Sequence, residues 1–362
     1  TIIFTSDSTG EPKGVMLTVG NIGSNVTAID NVVHLHKKDV LLGILPFFHV
    51  FGYTATLWTV LTLPPKGIYH FSPLQAREVG KLCRRHRATI VLSTPTFLRG
   101  YLKQCEVADF EHVDVLVTGA ERLPVELADA FEKKFGIRPI EGYGTTELSP
   151  LSALNIPPSR ARGNPGEGVR EGTIGRAIPG VDAKIVHTET GEDLPVGSEG
   201  MLLFRGPNVM QGYLNDPEKT AESMRDGWYV TGDIAKIDAD GFIWITGRES
   251  RFSKIGGEMV PHLKIEDVIT ELLFGDHDDE HEKEVVVTAV PDVRKGERIV
   301  VLYVQLAKSP EEICRLLVQA GLPPLWIPSA DSFLQVTAIP VLGTGKLDLK
   351  GLKELALAKF TT

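Results

Sequence analysis

The sequence predicts a layered α/β domain with a small β subdomain, followed by a separate α+β domain. Three observations carry this. Up to about residue 146, short β-branched runs alternate with helical stretches, which is the pattern of layers around a largely parallel sheet. From Gly175 to Arg248 the helical pattern gives way to short strands separated by turns. Beyond Arg248 a charged, glycine-containing stretch interrupts the chain before helices and strands resume, and 362 residues exceed one ordinary core. These breaks put the α/β part at 1–174, the β subdomain at 175–248, a hinge at 249–257 and a small domain at 258–362.

Composition narrows the function classes. The chain is 42% hydrophobic and 23% charged, with 36 Gly and 23 Pro, as a globular, turn-rich protein is. A net charge of −9 without a dense Lys/Arg run argues against nucleic acid as the main partner. An anionic substrate must then be met by local cations or a metal. The three cysteines are widely spaced, so neither a disulfide framework nor a zinc site is indicated, and a reducing, cytoplasmic setting fits. No apolar run reaches the length of a membrane span.

Taken in order, Ile2-Ile3-Phe4 reads as a strand end. Thr5-Ser6-Asp7-Ser8-Thr9-Gly10-Glu11-Pro12-Lys13-Gly14 follows, with four hydroxyl side chains, two glycines and a lysine. Hydroxyls and glycine backbone N–H groups suit a loop that wraps phosphate oxygens, and Lys13 adds a mobile positive charge. The Walker pattern cannot be laid over it, and on its own the stretch is equally a polar surface turn. Residues 15–34 read as a helix, with Asn21, Asn25 and Asn31 on its polar positions. Residues 39–46 read as a buried strand ended by Pro46. His49, in Phe47-Phe48-His49-Val50-Phe51-Gly52, sits among aromatics, where a histidine is first of all a packed residue.

Residues 74–87 form a cationic amphipathic helix and 88–93 a strand closed by Pro95. A strand at 113–118 ends at Gly119-Ala120-Glu121, a helix covers 124–135, and 139–141 start the next strand. Ligands in such sheets sit beyond the carboxyl ends of strands, where Gly119 and Gly142 would lie. In Gly142-Tyr143-Gly144-Thr145-Thr146-Glu147 the glycines allow a close backbone approach, Tyr143 offers a stacking face, and the last three residues offer oxygens. Glu147 is a hard donor suited to Mg²⁺; the alternative is an acid complementing a helix N-terminus.

Residues 155–172 read as a loop without a clear role. Strands follow at 182–186, 200–205 and 242–246. Asp233 ends Gly227-Trp228-Tyr229-Val230-Thr231-Gly232-Asp233, where a carboxylate can accept ribose hydroxyls; on its own it is an ordinary turn aspartate. Residues 249–258 read as a linker. A helix at 262–274, an acidic solvated loop at 275–284, strands at 285–290 and 299–306 and a helix at 310–319 come next. The glycine-rich Pro340-Val341-Leu342-Gly343-Thr344-Gly345-Lys346-Leu347 then presents a single lysine ahead of a terminal helix.

In this order the motifs resemble those of the adenylate-forming superfamily, which includes the acyl-CoA and acyl-carrier-protein synthetases. The first loop matches nine of the ten positions in T-S-G-S-T-G-x-P-K-G. Asp7 stands where that pattern has glycine and sets a carboxylate where a triphosphate would lie. The later stretches resemble P-x-x-H-x-x-G, Y-G-x-T-E, W-x-x-T-G-D with its following G-R, and P-x-T-x-x-G-K. The resemblance implies ATP, AMP and Mg²⁺ as ligands. Thr5, Ser6, Ser8, Thr9, Gly10 and Lys13 would hold the β- and γ-phosphates. Gly119, Ala120, Glu121, Gly142, Tyr143, Gly144 and Thr145 would line the nucleotide site, with Tyr143 on adenine. Thr146 would touch the α-phosphate and Glu147 bind the metal, while Asp233 and Arg248 reach the ribose. His49 would gate the acyl pocket, Lys346 would stabilise charge as the adenylate forms, and Lys254 and Gly257 belong to the segment that turns toward the thiol.

The implied activity is activation of a fatty acid as an acyl-adenylate. Transfer to coenzyme A or to the phosphopantetheine of acyl carrier protein follows, the small domain turning about Arg251 between steps. A catalytically impaired nucleotide- or carrier-binding protein of the same type is the alternative, and Asp7 favours it. Residues 251–260 and 342–346 look most like the synthetase half of the bifunctional acyl-acyl-carrier-protein synthetase/2-acylglycerophosphoethanolamine acyltransferase. That likeness adds peripheral association with the inner face of the cytoplasmic membrane, through a longer protein. In the family a sizeable subdomain precedes the first loop, so the chain reads as part of a larger protein.

Overall fold

Adjacent residues of a strand face opposite sides of the sheet, and in the central sheet both sides are buried. Leu41, Ile90, Val115 and Val117 belong to one core, and Leu42, Val91 and Leu116 to another. This explains why these strands read as continuous apolar runs and not as alternating ones. The computed structural model describes residues 1–5, 12–161, 165–256, 258–274, 284–341 and 347–360. Its seven-stranded sheet has the order Lys66–Tyr69, Val40–Gly43, Ile90–Ser93, Val115–Thr118, Ile140–Gly144, Leu151–Leu154, Arg176–Ala177. The first five strands are parallel and the last two are added antiparallel. Helix Val19–Val33 contributes Ile22, Val26 and Ile29 to the first core. Helices Ala76–His86, Pro95–Gln104 and Val125–Phe135 contribute Val79, Leu98 and Phe131 to the second. The fold is mixed α/β, as expected.

Several local expectations need correction. The helix expected from residue 15 begins at Val19, where Thr18 and Asn21 cap each other's backbone N–H groups. Gly14–Met16 is instead a strand between Ile2–Phe4 and Gly212–Tyr213. Asn25, assigned to a polar position, is fully buried. Pro95 does more than close a strand: it is the first residue of Pro95–Gln104, where a missing N–H costs nothing. The strands expected at 182–186 and 200–205 lie there, and the one expected at 242–246 runs Ile243–Arg248; their sheet has the order Asp182–Val186, Gly200–Arg205, Trp228–Ile237, Met224–Arg225, with Ile243–Arg248 also pairing with Trp228–Ile237.

Residues 155–172 also have a structural role. Arg160, buried, donates to both Asp39 oxygens at 3.0 and 2.7 Å and to Asp114 at 3.0 and 3.1 Å. These acids precede Val40–Gly43 and Val115–Thr118, the strands on either side of Ile90–Ser93, so the fork staples the amino-terminal ends of the sheet across the strand between them. Burial alone would raise the Asp39 carboxyl. The Arg160 guanidinium, the His36 N–H and the Thr89 hydroxyl together hold it below its ordinary value.

The chain divides into two compact units, Thr1–Thr5 with Lys13–Thr246, and a second from Gly247 onward. The second unit has a sheet ordered Glu258–Pro261, Phe252–Ile255, Gly296–Tyr303, Val285–Asp292, with Phe333–Gln335 parallel beside Gly296–Tyr303. Helices His262–Phe274 and Pro310–Gln319 supply Ile265, Ile269, Ile313 and Leu317 to one of its cores, and Leu349–Phe360 supplies Leu352 and Ala356 to the other. The stretch expected as a linker is thus largely a hairpin, with Lys254 opposite Met259. Arg251 is buried, ion-paired with Glu266, and donates to the Val287 carbonyl at 3.3 Å. Ser253 and His262 hydrogen-bond beside it at 2.7 Å. Burial, with the charges of Arg251 and Lys353, pushes His262 down to about 3.

Two stability predictions follow from these buried groups. Asp39→Asn should destabilise the N-terminal unit by about 3 kcal/mol at neutral pH, because it strips a partner from a buried cation. The depressed Asp39 carboxyl contributes stability above its unfolded pKa of about 3.9 and loses it as pH falls through the folded value, so the difference should shrink in acid. Urea unfolding of both proteins across pH measures this, and a constant gap would contradict it. His262 stays neutral in the fold while the unfolded chain protonates near pH 6.5, so stability should fall from there toward pH 3 by up to ~1.4 kcal/mol per pH unit. His262→Gln should remove that share of the slope; an unchanged slope would refute the assignment.

Candidate active site

The first candidate loop grows from a hairpin. Ile2–Phe4 pairs with Gly14–Met16, and the next rung is Thr5 with Lys13: the Thr5 N–H donates to the Lys13 carbonyl at 2.9 Å, and the Lys13 N–H to Thr5 Oγ1 at 3.3 Å. Ser6, Ser8, Thr9 and Gly10 lie outside the described residues, as do Gly257 and Lys346. Lys13 Nζ lies 4.9 Å from the centre of the Tyr213 ring. Tyr213 comes from the strand that completes this small sheet, where it faces Val15.

The second motif forms the end of Ile140–Gly144 and the turn after it. Gly142 therefore lies within a strand, paired with Leu154, and not beyond a strand end as expected. Both glycines leave room for the chain itself. A Cβ on Gly144 would stand 2.1 Å from the Pro150 carbonyl oxygen, and one on Gly142 would stand 2.9 Å from Leu154 Cδ1. Thr146–Leu148 makes one tight turn, and Ser149 (φ 72) reverses the chain into Leu151–Leu154.

Buried polar groups hold this turn. Asn25 Nδ2 donates to the Leu151 carbonyl at 2.7 Å, and Asn208 Nδ2 donates to the Leu148 and Leu151 carbonyls, both at 3.1 Å. Ser149 Oγ donates to the Asn208 carbonyl at 2.8 Å, and the Met210 N–H to the Glu147 carbonyl at 2.8 Å. The Glu147 side chain, 7% exposed, accepts the Tyr213 phenol on Oε1 at 2.8 Å.

Tyr143 extends the cluster. Its phenol donates to Asp233 Oδ2 at 2.5 Å, and its ring stacks on Phe204 at 5.7 Å and 26°. The Asp233 N–H is held by Thr231 Oγ1 at 3.0 Å. Tyr229, opposite Phe204 in the next strand, joins these groups electrostatically. Burial first, then the proximity of Glu147, Tyr213 and Tyr143, keeps its phenol well above the ordinary value and therefore protonated. Lys13, Glu147, Tyr143 and Asp233 are thus brought into one cluster whose connecting residues are Tyr213 and Tyr229.

Gly119, Ala120 and Glu121 follow Val115–Thr118. Ala120 has φ 69, a left-handed conformation costly for a residue with a Cβ, as held loops at ligand sites often have. Glu121 Oε2 accepts the N–H and hydroxyl of Thr96, so it braces the start of Pro95–Gln104. His49 Nδ1 accepts the Phe51 N–H at 3.2 Å at the start of helix Phe51–Trp58. That helix has wide turns, ending with the Thr59 N–H on the Thr54 carbonyl five residues back. Phe51 and Ala55 face an apolar cavity of about 510 Å³ including its mouth. Ile29 and Val33, the sheet residues Leu41 and Val115, and Leu151 after the Glu147 turn form other walls. Its lone polar lining residue, Thr59, directs its hydroxyl to the Thr54 carbonyl. Arg248 closes its strand and falls, with Lys254, in the C-terminal unit; the Lys254 N–H donates to Glu297.

Among the described residues no three His, Cys, Asp or Glu side chains converge on a metal. Glu147 is a lone hard carboxylate, which fits a Mg²⁺ that arrives bound to phosphates better than a resident ion. Sequence reasoning missed Tyr213, Tyr229, Asn25 and Asn208 as parts of the site. A Gly-Tyr pair ahead of the Asp216-capped helix Pro217–Glu222 was the available signal for Tyr213, but nothing local ties it to Glu147.

With this geometry in view, the match to known proteins is specific. Residues 1–214 match the AMP-binding enzyme family, and the chain belongs to it. It is 34% identical over 358 residues to a long-chain-fatty-acid–CoA ligase of Bacillus subtilis (strain 168), covering 95% of this chain and 59% of that protein. It is 32% identical to a 4-coumarate–CoA ligase of Pinus taeda over 73% of this chain and 50% of that one. The chain thus spans only part of the length of these curated relatives. ATP-bound MatB from Rhodopseudomonas palustris superimposes with a TM-score of 0.82 at 27% identity, over 100% of this chain and 68% of that one.

Gly144→Ala tests the tight turn. Its Cβ would collide with Pro150 backbone, so the variant should lose more than about 3 kcal/mol of stability. Urea unfolding monitors the loss, and a variant as stable as its parent would show that the turn can open.

Proposed function

We propose that this chain activates a carboxylic acid with ATP and passes the acyl group to a thiol. One observation carries the reading: the cluster of Lys13, Glu147, Tyr143 and Asp233 shares the Glu147–Leu151 segment with an apolar cavity. A nucleotide at the former and an acyl chain in the latter would put the acid's carboxylate beside the α-phosphate. One acid oxygen attacks the α-phosphorus, the bond to the β-phosphate oxygen breaks, and pyrophosphate leaves. The thiol sulfur then attacks the acyl carbon, the carbon–oxygen bond to AMP breaks, and the thiol proton passes to solvent. Alignment and charge neutralisation supply most of the acceleration in such steps.

In this reading Lys13, Thr5, Ser6, Ser8, Thr9 and Gly10 hold the β- and γ-phosphates. Tyr143, Gly142, Gly144 and Thr145 face the base, with Gly119, Ala120 and Glu121 beside it. Thr146 and Lys346 meet the α-phosphate, and Asp233 and Arg248 the ribose. Glu147 would hold Mg²⁺, which neutralises phosphate charge when bound. His49 gates the cavity, and Lys254 and Gly257 serve the thiol step. Residues 1–174 and 175–248 act as one adenylation domain, 249–257 as its hinge and 258–362 as a small domain.

The apolar cavity favours a fatty acid, in line with the Bacillus subtilis relative. The names of the curated relatives favour coenzyme A as acceptor; the phosphopantetheine of acyl carrier protein presents the same thiol and would make the chain an acyl-carrier-protein synthetase. Among the described residues no helix is long and apolar enough to cross a membrane, and action on fatty acids at the inner face of the cytoplasmic membrane is compatible with that.

Fatty-acid-dependent ATP–pyrophosphate exchange tests the proposal. The chain should exchange, and Lys346→Ala should lower the rate at least about 100-fold, while Asp7→Gly should raise it by removing a carboxylate from the triphosphate's surroundings. Nucleotide binding with no exchange in either the parent or Asp7→Gly would overturn the ligase reading in favour of a binding protein. Comparing coenzyme A with acyl carrier protein as acceptor then separates the two thiols.

A further inference from the structure

We propose that Tyr213 is a positioning residue for the metal-bound nucleotide: its phenol orients Glu147 and its ring separates Glu147 from Lys13. The inference rests on the adenylate reading above. Both groups converge on one side chain, the phenol at 2.8 Å from Glu147 Oε1 and the ring face 4.9 Å from Lys13 Nζ. A buried carboxylate needs a partner, and a neighbouring lysine is the obvious one. Here the partner is a phenol: Tyr213 satisfies one oxygen of Glu147 with a neutral donor, while its ring face gives the Lys13 ammonium a cation–π platform. Glu147 Oε2 accepts no hydrogen bond among the described residues, which leaves that oxygen for a cation.

Tyr213 itself is held rigidly. It is 5% exposed and pairs with Val15, and its N–H donates to Thr220 Oγ1 at 2.9 Å. Thr220 belongs to helix Pro217–Glu222, and its hydroxyl donates to the Asp216 carbonyl at 2.8 Å. The phenol therefore reaches Glu147 from a fixed backbone, as a group that supports a metal ligand must.

Mn²⁺ and ATP are the probes. Free Mn²⁺ is followed by electron paramagnetic resonance in the presence of ATP and the full chain, and metal-free ATP binding is measured by calorimetry in EDTA. Tyr213→Phe keeps the ring and removes the phenol. It should weaken Mn²⁺ binding to the ATP complex by about 10- to 100-fold and leave metal-free ATP binding within about twofold, the ring–lysine contact being intact. Tyr213→Leu should weaken both. In a Glu147→Gln background Tyr213→Phe should change Mn²⁺ binding no further. Unaltered Mn²⁺ binding in Tyr213→Phe, an equal loss of metal-free ATP binding, or an additive loss in the double variant would each overturn the proposal. A parent chain that binds no ATP at all would instead overturn the adenylate reading on which it rests.

Discussion

Enclosing a carboxyl group inside a protein is the constraint around which this N-terminal unit is arranged. Glu147 is almost fully enclosed, and a buried polar group is costly unless it is hydrogen-bonded. Its surroundings satisfy it with dipoles: a phenol on one oxygen, and a backbone turn kept in place by the amides of Asn25 and Asn208. Both amides donate to the same two carbonyls, those of Leu148 and Leu151, so only the loss of both would leave these acceptors without a side-chain donor. The tyrosines around the acid do related work. Tyr229 stays protonated because burial first, and then the proximity of Glu147, Tyr213 and Tyr143, opposes its ionisation.

Legibility in the sequence followed range. The parallel strands were readable because each is a local apolar run, and the candidate residues were readable because each motif is contiguous. Gly142-Tyr143-Gly144-Thr145-Thr146-Glu147 and the strand carrying Asp233 therefore drew attention. The links between them were not readable, since Tyr143 meets Asp233, and Tyr213 meets Glu147, only through tertiary packing. Asn25 misled for the same reason: its helical position is polar by residue type, but its partners Leu148 and Leu151 lie more than a hundred residues away. The glycines were noticed for the right property and the wrong neighbour, the space beside Gly144 being filled by Pro150. Residues 249–258 looked like a linker because charge and glycine are common to linkers and hairpins, and only the register with Glu258–Pro261 separates the two.

The C-terminal unit shows what an arginine does at its first turn. The resemblance implies a pivot at Arg251. A guanidinium there can reach inward to Glu266 and the Val287 carbonyl at once, which a short carboxylate or a single ammonium cannot do. The residue is anchored within its own unit.

The small sheet under the first loop has a consequence for synthesis. Its middle strand, Gly14–Met16, finds its second neighbour in Gly212–Tyr213, so roughly 200 residues must be translated before the edge is covered. At ribosomal speeds of about 5–20 residues per second that is an interval of about 10–40 s. During it, an apolar hairpin with an unpaired edge stands exposed to other nascent chains. The strand that completes the small sheet is thus also the one that ends this vulnerable period, so chains that stop short of Tyr213 should aggregate.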